Sequence, residues 1–339
     1  MTTTPHPDHT LPIEEVTERA GAVLDRVERA VVGKREPLTL LLAAVLAGGH
    51  VLLEDLPGLG KTLAARSFAQ TLGLDFARAQ FTPDLLPADL TGAFVYDQRS
   101  GSFEFRNGPL FTGLLLADEI NRTPPKTQSA LLEAMQEHQV TVEGQTFGLP
   151  QPFHVLATAN PVEYEGTYPL PEAQLDRFLL RLSFGYPSED DEVDVLRRRL
   201  ARRQEDIHLE AVTDAAGLQA MQRAVEAVPV EDEIARYCVA LAAATRAHQA
   251  VQVGASPRGS LALVLVARAR AVIEGRSFLA PEDVKAVAHA VLDHRIVIAP
   301  ELWMSDVTGA AVVDTVLGQV PVPAAREVAT AETTAARPR

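Results

Sequence analysis

Lys61 and Thr62 follow a short glycine-containing loop, 57–60, and this order of residue types suits the binding of a phosphate. Glycine lets backbone N–H groups approach an anion closely, and the first amides of a following helix would point at the same anion. Lys61 would contact the β- and γ-phosphates of a nucleotide, and the Thr62 hydroxyl would bind Mg²⁺. Asp55 stands where the pattern G-x-x-x-x-G-K-[ST] has its first glycine, and a chance Gly-Lys-Thr in a turn is the alternative. The residues expected to contact the nucleotide here are Pro57, Gly58, Leu59, Gly60, Lys61, Thr62 and Leu63.

A pair of carboxylates, Asp118 and Glu119, ends an apolar segment at 114–117. Ligands of open parallel α/β sheets bind at the carboxyl ends of strands, so these side chains would lie beside the phosphates. Asp118 would hold Mg²⁺, directly or through water, and Glu119 would polarise the water that attacks the phosphate. Asn160 follows another apolar segment, 153–158, and could orient that water. The alternatives are a charged strand end for the carboxylates and a turn residue before proline for Asn160.

Two arginines stand at the ends of predicted elements. Arg177 lies close to the apolar residues Leu175 and Phe178, at the end of a predicted element. Arg258 lies in the first turn of a helix, where the helix dipole disfavours a cation. An arginine at a helix start suggests an anionic partner. The alternative for Arg177 is a surface ion pair with Asp176 or Glu172, and for Arg258 a surface ion pair fits the sequence about as well.

Apolar segments predict buried strands of an α/β fold. The strands are predicted at 51–53, 75–80, 114–119, 153–158 and 179–183. The helices of this part are predicted at 13–31, 38–47, 62–72 and 125–137, with a short helix before Arg177. Turn residues predict two hairpins, one joining 94–96 to 103–105 and the other joining 139–142 to 147–149. Val32 and Gly33 end the first helix beside the apolar segment that precedes the first strand, so topology alone places an adenine pocket at these two residues.

The sequence pattern changes at 186–188, after which strand-like segments give way to helical periodicity. Helices are predicted at 189–203, 214–227, 231–247, 257–275, 281–293 and 306–318. We therefore expect an α/β core at 11–186 and an α-helical domain at 187–320. The polar, proline-containing segments 1–10 and 321–339 are expected to be disordered.

Length, charge and cysteine content limit the kinds of protein that this chain can be. A length of 339 residues suits two domains, and a formal charge of −14 argues against a general nucleic-acid binder, which needs a basic face. The single cysteine, Cys238, lies in an apolar helical segment and is expected to be a core residue of a cytosolic protein. We find no signal peptide and no apolar segment long enough to span a bilayer.

Taken together, these motifs resemble an AAA+ ATPase, and within that superfamily the MoxR family. The resemblance covers about residues 11 to 320 and is carried by 54–62 (EDLPGLGKT), 80–87 (QFTPDLLP), 108–111 (GPLF), 116–122 (LADEINR), 159–161 (ANP), 170–178 (LPEAQLDRF) and 254–258 (GASPR). It implies a five-stranded parallel sheet between helices, followed by a C-terminal α-helical lid. Within this family the aspartate at position 55 is not unusual.

The resemblance also implies a role for each motif. Lys61 and Thr62 correspond to Walker A and Asp118 with Glu119 to Walker B, whereas Asn160 is similar to sensor 1. The first hairpin resembles the helix-2 insert of one AAA+ clade, and the second resembles its pre-sensor-1 hairpin. Arg177 resembles the arginine finger, which completes the site of a neighbouring subunit, and Arg258 resembles sensor 2 of its own or the neighbouring subunit.

By this resemblance we expect a cytoplasmic, Mg²⁺-dependent ATP hydrolase that assembles as a homo-oligomeric ring, with a hexamer as the expected size. Its ATP turnover would remodel or activate client proteins, including proteins with a von Willebrand factor A domain whose metal site it helps to load. Two alternatives remain open. One is a nucleic-acid-dependent motor of the same clade, which the acidic composition opposes. The other is a non-enzymatic scaffold that nucleotide binding switches.

Overall fold

The computed structural model describes residues 10–162, 166–204 and 207–323. Over these residues the helices are α1 (Ile13–Val27), α2 (Arg35–Leu46), α3 (Lys61–Thr71), α4 (Pro87–Thr91), α5 (Pro125–Glu137), α6 (Glu172–Leu175), α7 (Glu189–Arg202), α8 (Ala215–Glu226), α9 (Asp232–Ala247), α10 (Pro257–Ile273), α11 (Pro281–Leu292) and α12 (Gly309–Gln319). The strands are β1 (Val51–Glu54), β2 (Phe76–Gln80), β3 (Gly92–Asp97), β4 (Ser102–Asn107), β5 (Leu114–Asp118), β6 (Gln139–Val142), β7 (Gln145–Gly148), β8 (His154–Ala159), β9 (Leu180–Leu182), β10 (Val251–Val253) and β11 (Val297–Ile298).

Five parallel strands form the central sheet in the order β2-β5-β8-β1-β9. The register aligns the strand ends, because Gln80 pairs with Asp118 and Glu54 pairs with Ala159. The carboxyl ends of β1, β5 and β8 therefore form one edge of the sheet. This confirms the predicted α/β fold with its five-stranded parallel sheet.

The apolar side chains of the strands point alternately to the two faces of the sheet, which explains why helices cover both faces. Leu114 and Leu116 of β5 contribute to one apolar cluster, with α1, α2 and α3, whereas Leu115 and Ala117 contribute to another, with α5. Side chains of a strand point alternately to opposite faces, so a strand that is apolar throughout must be covered on both sides.

The lid helices α7 to α12 follow the sheet, as predicted, with ends that differ from the prediction by a few residues. One apolar cluster continues from α1 and α2 into α8 and α10, so the lid packs on the helices of the core. Cys238 is buried within α9, as expected, and burial raises the pKa of its thiol to about 12. The boundaries assigned to the two domains stay predictions.

Several details correct the sequence prediction. The lid is not purely helical, because Val251 and Val253 of β10 pair with β11 in a short antiparallel ribbon. The first helix ends at Val27 rather than near 31. The short helix expected before Arg177 is present as α6. Both predicted hairpins are present, as β3 with β4 and β6 with β7.

The disorder predicted for the two ends falls almost entirely on residues 1–9 and 324–339, which lie outside the described residues. In the part of the chain that the structure describes, no helix combines the length and the apolar character needed to cross a membrane.

Candidate active site

The loop after β1 and the start of α3 form one wall of a pocket of about 370 Å³ at the carboxyl edge of the sheet. Gly58 and Gly60 adopt φ angles of 83° and 84°, which favour glycine over residues with a side chain. The pocket brings together the predicted loop, carboxylate and asparagine motifs. Its lining residues are Pro57, Gly58, Gly60, Lys61, Thr62, Leu63, Asp118, Glu119, Thr158, Ala159 and Asn160.

Lys61 faces the interior of the loop that it follows. Its ammonium donates hydrogen bonds to the backbone carbonyls of Asp55 and Leu56, the latter at 3.1 Å. Burial lowers the pKa of this ammonium from its ordinary value, and three nearby carboxylates oppose that change. Lys61 is thus a cation that is partly removed from water at the mouth of an anion-binding loop, where its attraction for a phosphate is strengthened.

The carboxylate of Asp55 explains the departure from the glycine of the usual pattern. It is 6% exposed, and its Oδ2 accepts hydrogen bonds from the backbone N–H groups of Phe184 at 2.5 Å and Gly185 at 3.1 Å. Its Oδ1 accepts a third from Leu56 at 3.2 Å. Asp55 therefore ties the start of the loop to the segment that leads from β9 into the lid, a contact that a glycine could not make.

Asp118 is buried at the end of β5 and is held from two sides. Its Oδ1 accepts a hydrogen bond from the Thr158 hydroxyl at 2.6 Å, and its Oδ2 accepts hydrogen bonds from the Arg78 guanidinium of β2, including one from Nε at 3.1 Å. These contacts fix the carboxylate at the edge of the sheet, and the Arg78 charge balances its own.

Glu119 follows in a left-handed conformation with φ of 58°, which is uncommon for a residue with a side chain. Its Oε2 accepts a hydrogen bond from Gln80 Nε2 at 2.7 Å and forms an ion pair with Arg122 at 3.3 Å. Its backbone N–H donates to the Thr158 hydroxyl at 2.8 Å. The backbone conformation and these three partners orient the carboxylate at the pocket.

Thr62 and Asp118 supply a hydroxyl and a carboxylate to the same pocket. Mg²⁺ prefers oxygen ligands and usually binds one or two carboxylates together with substrate phosphates, so this donor set fits the ion. Asn160 is 8% exposed, lines the pocket, and accepts a hydrogen bond from the backbone N–H of Val162 at 3.2 Å through Oδ1.

Arg177 and Arg258 lie elsewhere. Together they line a cavity of about 300 Å³ that shares no residue with the phosphate-loop pocket. Arg177 precedes β9, and the start of that strand is level with Val51 at the start of β1. Because strands rise about 3.3 Å per residue, the four residues of β1 separate this edge from the phosphate loop by about 13 Å. Within the described part of the chain, Arg177 forms no ion pair with Asp176 or Glu172, and the carboxylate of Asp176 binds Arg295 instead.

Val32 and Gly33, predicted for the adenine, are not among the residues that line the pocket. Gly33 has φ of 68° and lies against the Asp191 side chain of α7. Leu59, the remaining predicted contact, lies between two loop residues that do line the pocket.

Arg78, Gln80 and Thr158 also belong to the site, although the sequence did not single them out. Arg78 and Gln80 are two residues apart at the end of β2, so the alternation of side chains places both on one face of that strand. Thr158 lies near the end of β8, two residues before Asn160. Polar residues with this period at the end of an otherwise apolar strand were the available signal. Their partners, however, lie about 40 residues away in the sequence.

Comparisons with known proteins agree with this geometry. The pattern of the family described as "ATPase family associated with various cellular activities (AAA)" matches residues 50–180, and that of the AAA lid domain matches residues 243–316. Protein YeaC of Bacillus subtilis (strain 168) is 48% identical, covering 92% of this chain and 98% of the relative. Chaperone MoxR1 of Mycobacterium tuberculosis (strain ATCC 25618 / H37Rv) is 40% identical, covering 88% and 80% respectively. A crystal structure of a Cytophaga hutchinsonii protein superposes with a TM-score of 0.86 at 39% identity, covering 92% of this chain and 97% of that one.

Proposed function

The chain belongs to the MoxR family of AAA+ ATPases, and on that premise we propose that it hydrolyses ATP with Mg²⁺ in a homo-oligomeric ring. The observation that carries the proposal is the separation of two sets of residues. The loop, the carboxylates and Asn160 share one pocket, whereas Arg177 and Arg258 share another at the opposite edge of the sheet. One set suits phosphate binding, and the other suits completion of a second subunit's site.

Within the first pocket each side chain has a distinct task. The loop amides and Lys61 bind the β- and γ-phosphates. Thr62 and Asp118 would hold Mg²⁺, which would supply positive charge to neutralise the phosphates. The Glu119 carboxylate accepts the proton of the attacking water, a contribution of about 10²- to 10⁴-fold for a positioned general base. Asn160 fixes the orientation of that water by hydrogen bonding. Gln80 and Arg122 hold Glu119 in place.

Arg177 and Arg258 act on the nucleotide of the neighbouring subunit. The separation of about 13 Å between the sheet edges prevents Arg177 from contacting phosphates in its own loop. The shared cavity supports the same assignment for Arg258. An arginine supplied from a partner stabilises transition-state charge and accelerates hydrolysis by about 10³- to 10⁵-fold in other nucleotide hydrolases, so turnover depends on assembly.

We assign the energy of hydrolysis to the remodelling or activation of client proteins in the cytoplasm. The relative named Chaperone MoxR1 supports the chaperone part of this assignment. Family resemblance extends it to clients with a von Willebrand factor A domain, whose metal site would be loaded with the help of this ATPase. A hexamer is the ring size that the resemblance favours, and the phosphate-loop pocket and the arginine cavity, at opposite edges of the sheet, support a head-to-tail arrangement.

Mixed assemblies test the proposal. Lys61→Ala removes the phosphate contact and Arg177→Ala removes the arginine supplied to the neighbour, so each variant alone should be inactive. A ring containing both variants should regain part of the activity, because some interfaces pair an intact loop with an intact arginine. Phosphate release with Mg²⁺ and ATP is measured on mixtures whose assembly is verified by light scattering. An assembled mixture no more active than either variant would contradict the action of Arg177 on a neighbour.

Two further measurements address the alternatives. Filter binding to single- and double-stranded DNA at low salt should show no retention, whereas tight binding would favour a nucleic-acid motor. Glu119→Gln should bind ATP without turnover and retain client proteins. Full client activation by this variant would instead favour a scaffold switched by nucleotide binding alone.

A further inference from the structure

Asp176 lies between the two arginines and connects the segments that carry them. It directly precedes Arg177, and its carboxylate binds two residues of the lid, Ser256 and Arg295. We propose that Asp176 is a positioning residue that holds Arg177 and Arg258 as one unit, so that both reach the neighbouring subunit's nucleotide together. The proposal rests on the proposed function of the two arginines.

Both oxygens of the Asp176 carboxylate are engaged. Oδ1 accepts a hydrogen bond from Arg295 Nε at 2.8 Å, and Oδ2 accepts one from the Ser256 hydroxyl at 3.0 Å. The Asp176 side chain is 19% exposed and that of Arg295 is 3% exposed, so the ion pair is largely shielded from water. Charge-assisted hydrogen bonds in such surroundings are short and directional, and they resist displacement by solvent.

Ser256 transmits the position of Asp176 to Arg258. It is the N-cap of α10, and its hydroxyl oxygen accepts a hydrogen bond from the backbone N–H of Arg258 at 3.1 Å. One hydroxyl group therefore binds both the core carboxylate and the first turn of the helix that carries Arg258. Any shift of α10 relative to the segment before β9 must break or stretch this pair of hydrogen bonds.

Arg295 provides the rigid support on the other side. Its guanidinium also donates to the backbone carbonyl of Phe178 at 2.7 Å and to that of Val291. Burial lowers the pKa of the Arg295 guanidinium, and the nearby positive charge of Arg258 lowers it further. The carboxylate of Asp176 acts in the opposite direction and raises it. The proximity of Arg258 to this buried ion pair is thus visible in the electrostatics as well as in the shared cavity.

The same network leaves the two functional arginines available. Because Arg295 and Ser256 occupy the oxygens of Asp176, that carboxylate does not neutralise Arg177, its neighbour in sequence. Among the residues that the structure describes, no ion pair involves the guanidinium of Arg177 or Arg258. Asp176 thereby fixes the backbone beside Arg177 while leaving its charge free for an external phosphate.

The test compares Ser256→Ala and Asp176→Asn with Thr308→Ala in the full chain. Thr308 caps α12 with a hydrogen bond to the Ala311 N–H at 3.2 Å, so its variant loses a lid-helix cap without touching Asp176. We expect Ser256→Ala and Asp176→Asn to lower kcat about tenfold, because a misplacement of about 1 Å at a reacting group can cost 10²-fold. The Kd for fluorescent ATP at the subunit's own loop should stay within about twofold of wild type.

A second comparison separates positioning from general stability. Arg295→Met removes the buried partner of Asp176, and Arg268→Met removes another buried lid arginine, which pairs with Glu226 instead. Both should lower the Tm, but only Arg295→Met should lower kcat beyond the effect of Thr308→Ala. Ser256→Ala should cause no further loss in an Arg258→Ala background, since the residue that it positions is already absent.

The outcomes distinguish this proposal from the function on which it rests. If Arg177→Ala and Arg258→Ala retain wild-type turnover, the assigned role of the arginines is wrong and the positioning proposal falls with it. If both lower turnover but Ser256→Ala and Asp176→Asn behave like Thr308→Ala, the ATPase assignment stands and the positioning proposal is overturned. The positioning proposal is also overturned if Ser256→Ala lowers kcat in the Arg258→Ala background as much as it does in the wild-type protein.

Discussion

Replacing Asp55 with alanine should destabilise the whole protein, although the residue lies in a loop. The substitution leaves the buried N–H group of Phe184 and the partly buried N–H group of Gly185 without their carboxylate acceptor. Hydrogen bonds to charged groups contribute roughly 1.5–3 kcal/mol each, so the loss of two should lower the free energy of unfolding by about 3–6 kcal/mol. With an entropy of unfolding of roughly 2.1 cal/mol/K per residue, 339 residues give about 1.4 °C per kcal/mol, so the Tm should fall by about 4–8 °C.

Differential scanning calorimetry against a matched aspartate measures this effect. Asp214 is an exposed N-cap that accepts one hydrogen bond, from the Gly217 N–H at 2.8 Å, and Asp214→Ala should cost only about 1 kcal/mol. Asp55→Gly should be as unstable as Asp55→Ala, although it restores the glycine of the general loop pattern. The reasoning would be refuted if Asp55→Ala lost no more stability than Asp214→Ala, or if Asp55→Gly were as stable as wild type.

Three further predictions follow from the same geometry. Glu119→Gln should lower phosphate release at least about 10²-fold while the Kd for fluorescent ATP stays near wild type, because only the proton acceptor is lost. Arg78→Met should lower the Mg²⁺ concentration needed for half-maximal ATP binding by up to about fivefold, since the half-exposed Arg78 cation beside the buried carboxylate of Asp118 is removed. Burial lowers the pKa of His50 to about 3 and that of His154 to about 4. In the unfolded chain both histidines have a pKa of about 6.5, so between about pH 4 and pH 6.5 the unfolded chain binds more protons than the native protein. Stability should thus fall on acidification, and these two histidines should contribute about 4 kcal/mol of that fall between pH 7.5 and pH 5 in urea unfolding.

Each of the three has an outcome that contradicts it. Appreciable turnover by Glu119→Gln would remove that carboxylate from the chemistry. A higher Mg²⁺ requirement for Arg78→Met would mean that the ion pair prepares Asp118 rather than competing with the metal. A free energy of unfolding unchanged between pH 7.5 and pH 5 would show that the two buried histidines do not control acid stability.

The strands and the phosphate loop were predictable because their signals are local. The apolar residues of β1, the glycines at 58 and 60, and the helix after Lys61 are adjacent in sequence, and each restricts the backbone without help from distant residues. The grouping of Asp118 with the loop was also predictable, since parallel strands of one sheet bring their carboxyl ends to one edge.

Only the tertiary structure decided which distant groups these residues contact. Asp55 binds N–H groups about 130 residues away, Arg78 binds Asp118 across two strands, and the ribbon of β10 and β11 joins segments separated by more than 40 residues. Such pairings depend on strand register and on packing between elements, which no local window of the sequence contains.

Arg177 and Arg258 also show what the sequence predicts and what only the tertiary structure decides. From the sequence, Arg177 and Arg258 were two separate cations at the ends of elements, and surface ion pairs were an open alternative for each. The fold brings them to one cavity at the edge opposite the phosphate loop, because β9 begins where β1 begins and α10 starts against the same segment. Sequence thus determined the chemical groups and the local conformations of this protein, whereas the direction of the strands and the packing of the lid decided which groups face the same ligand.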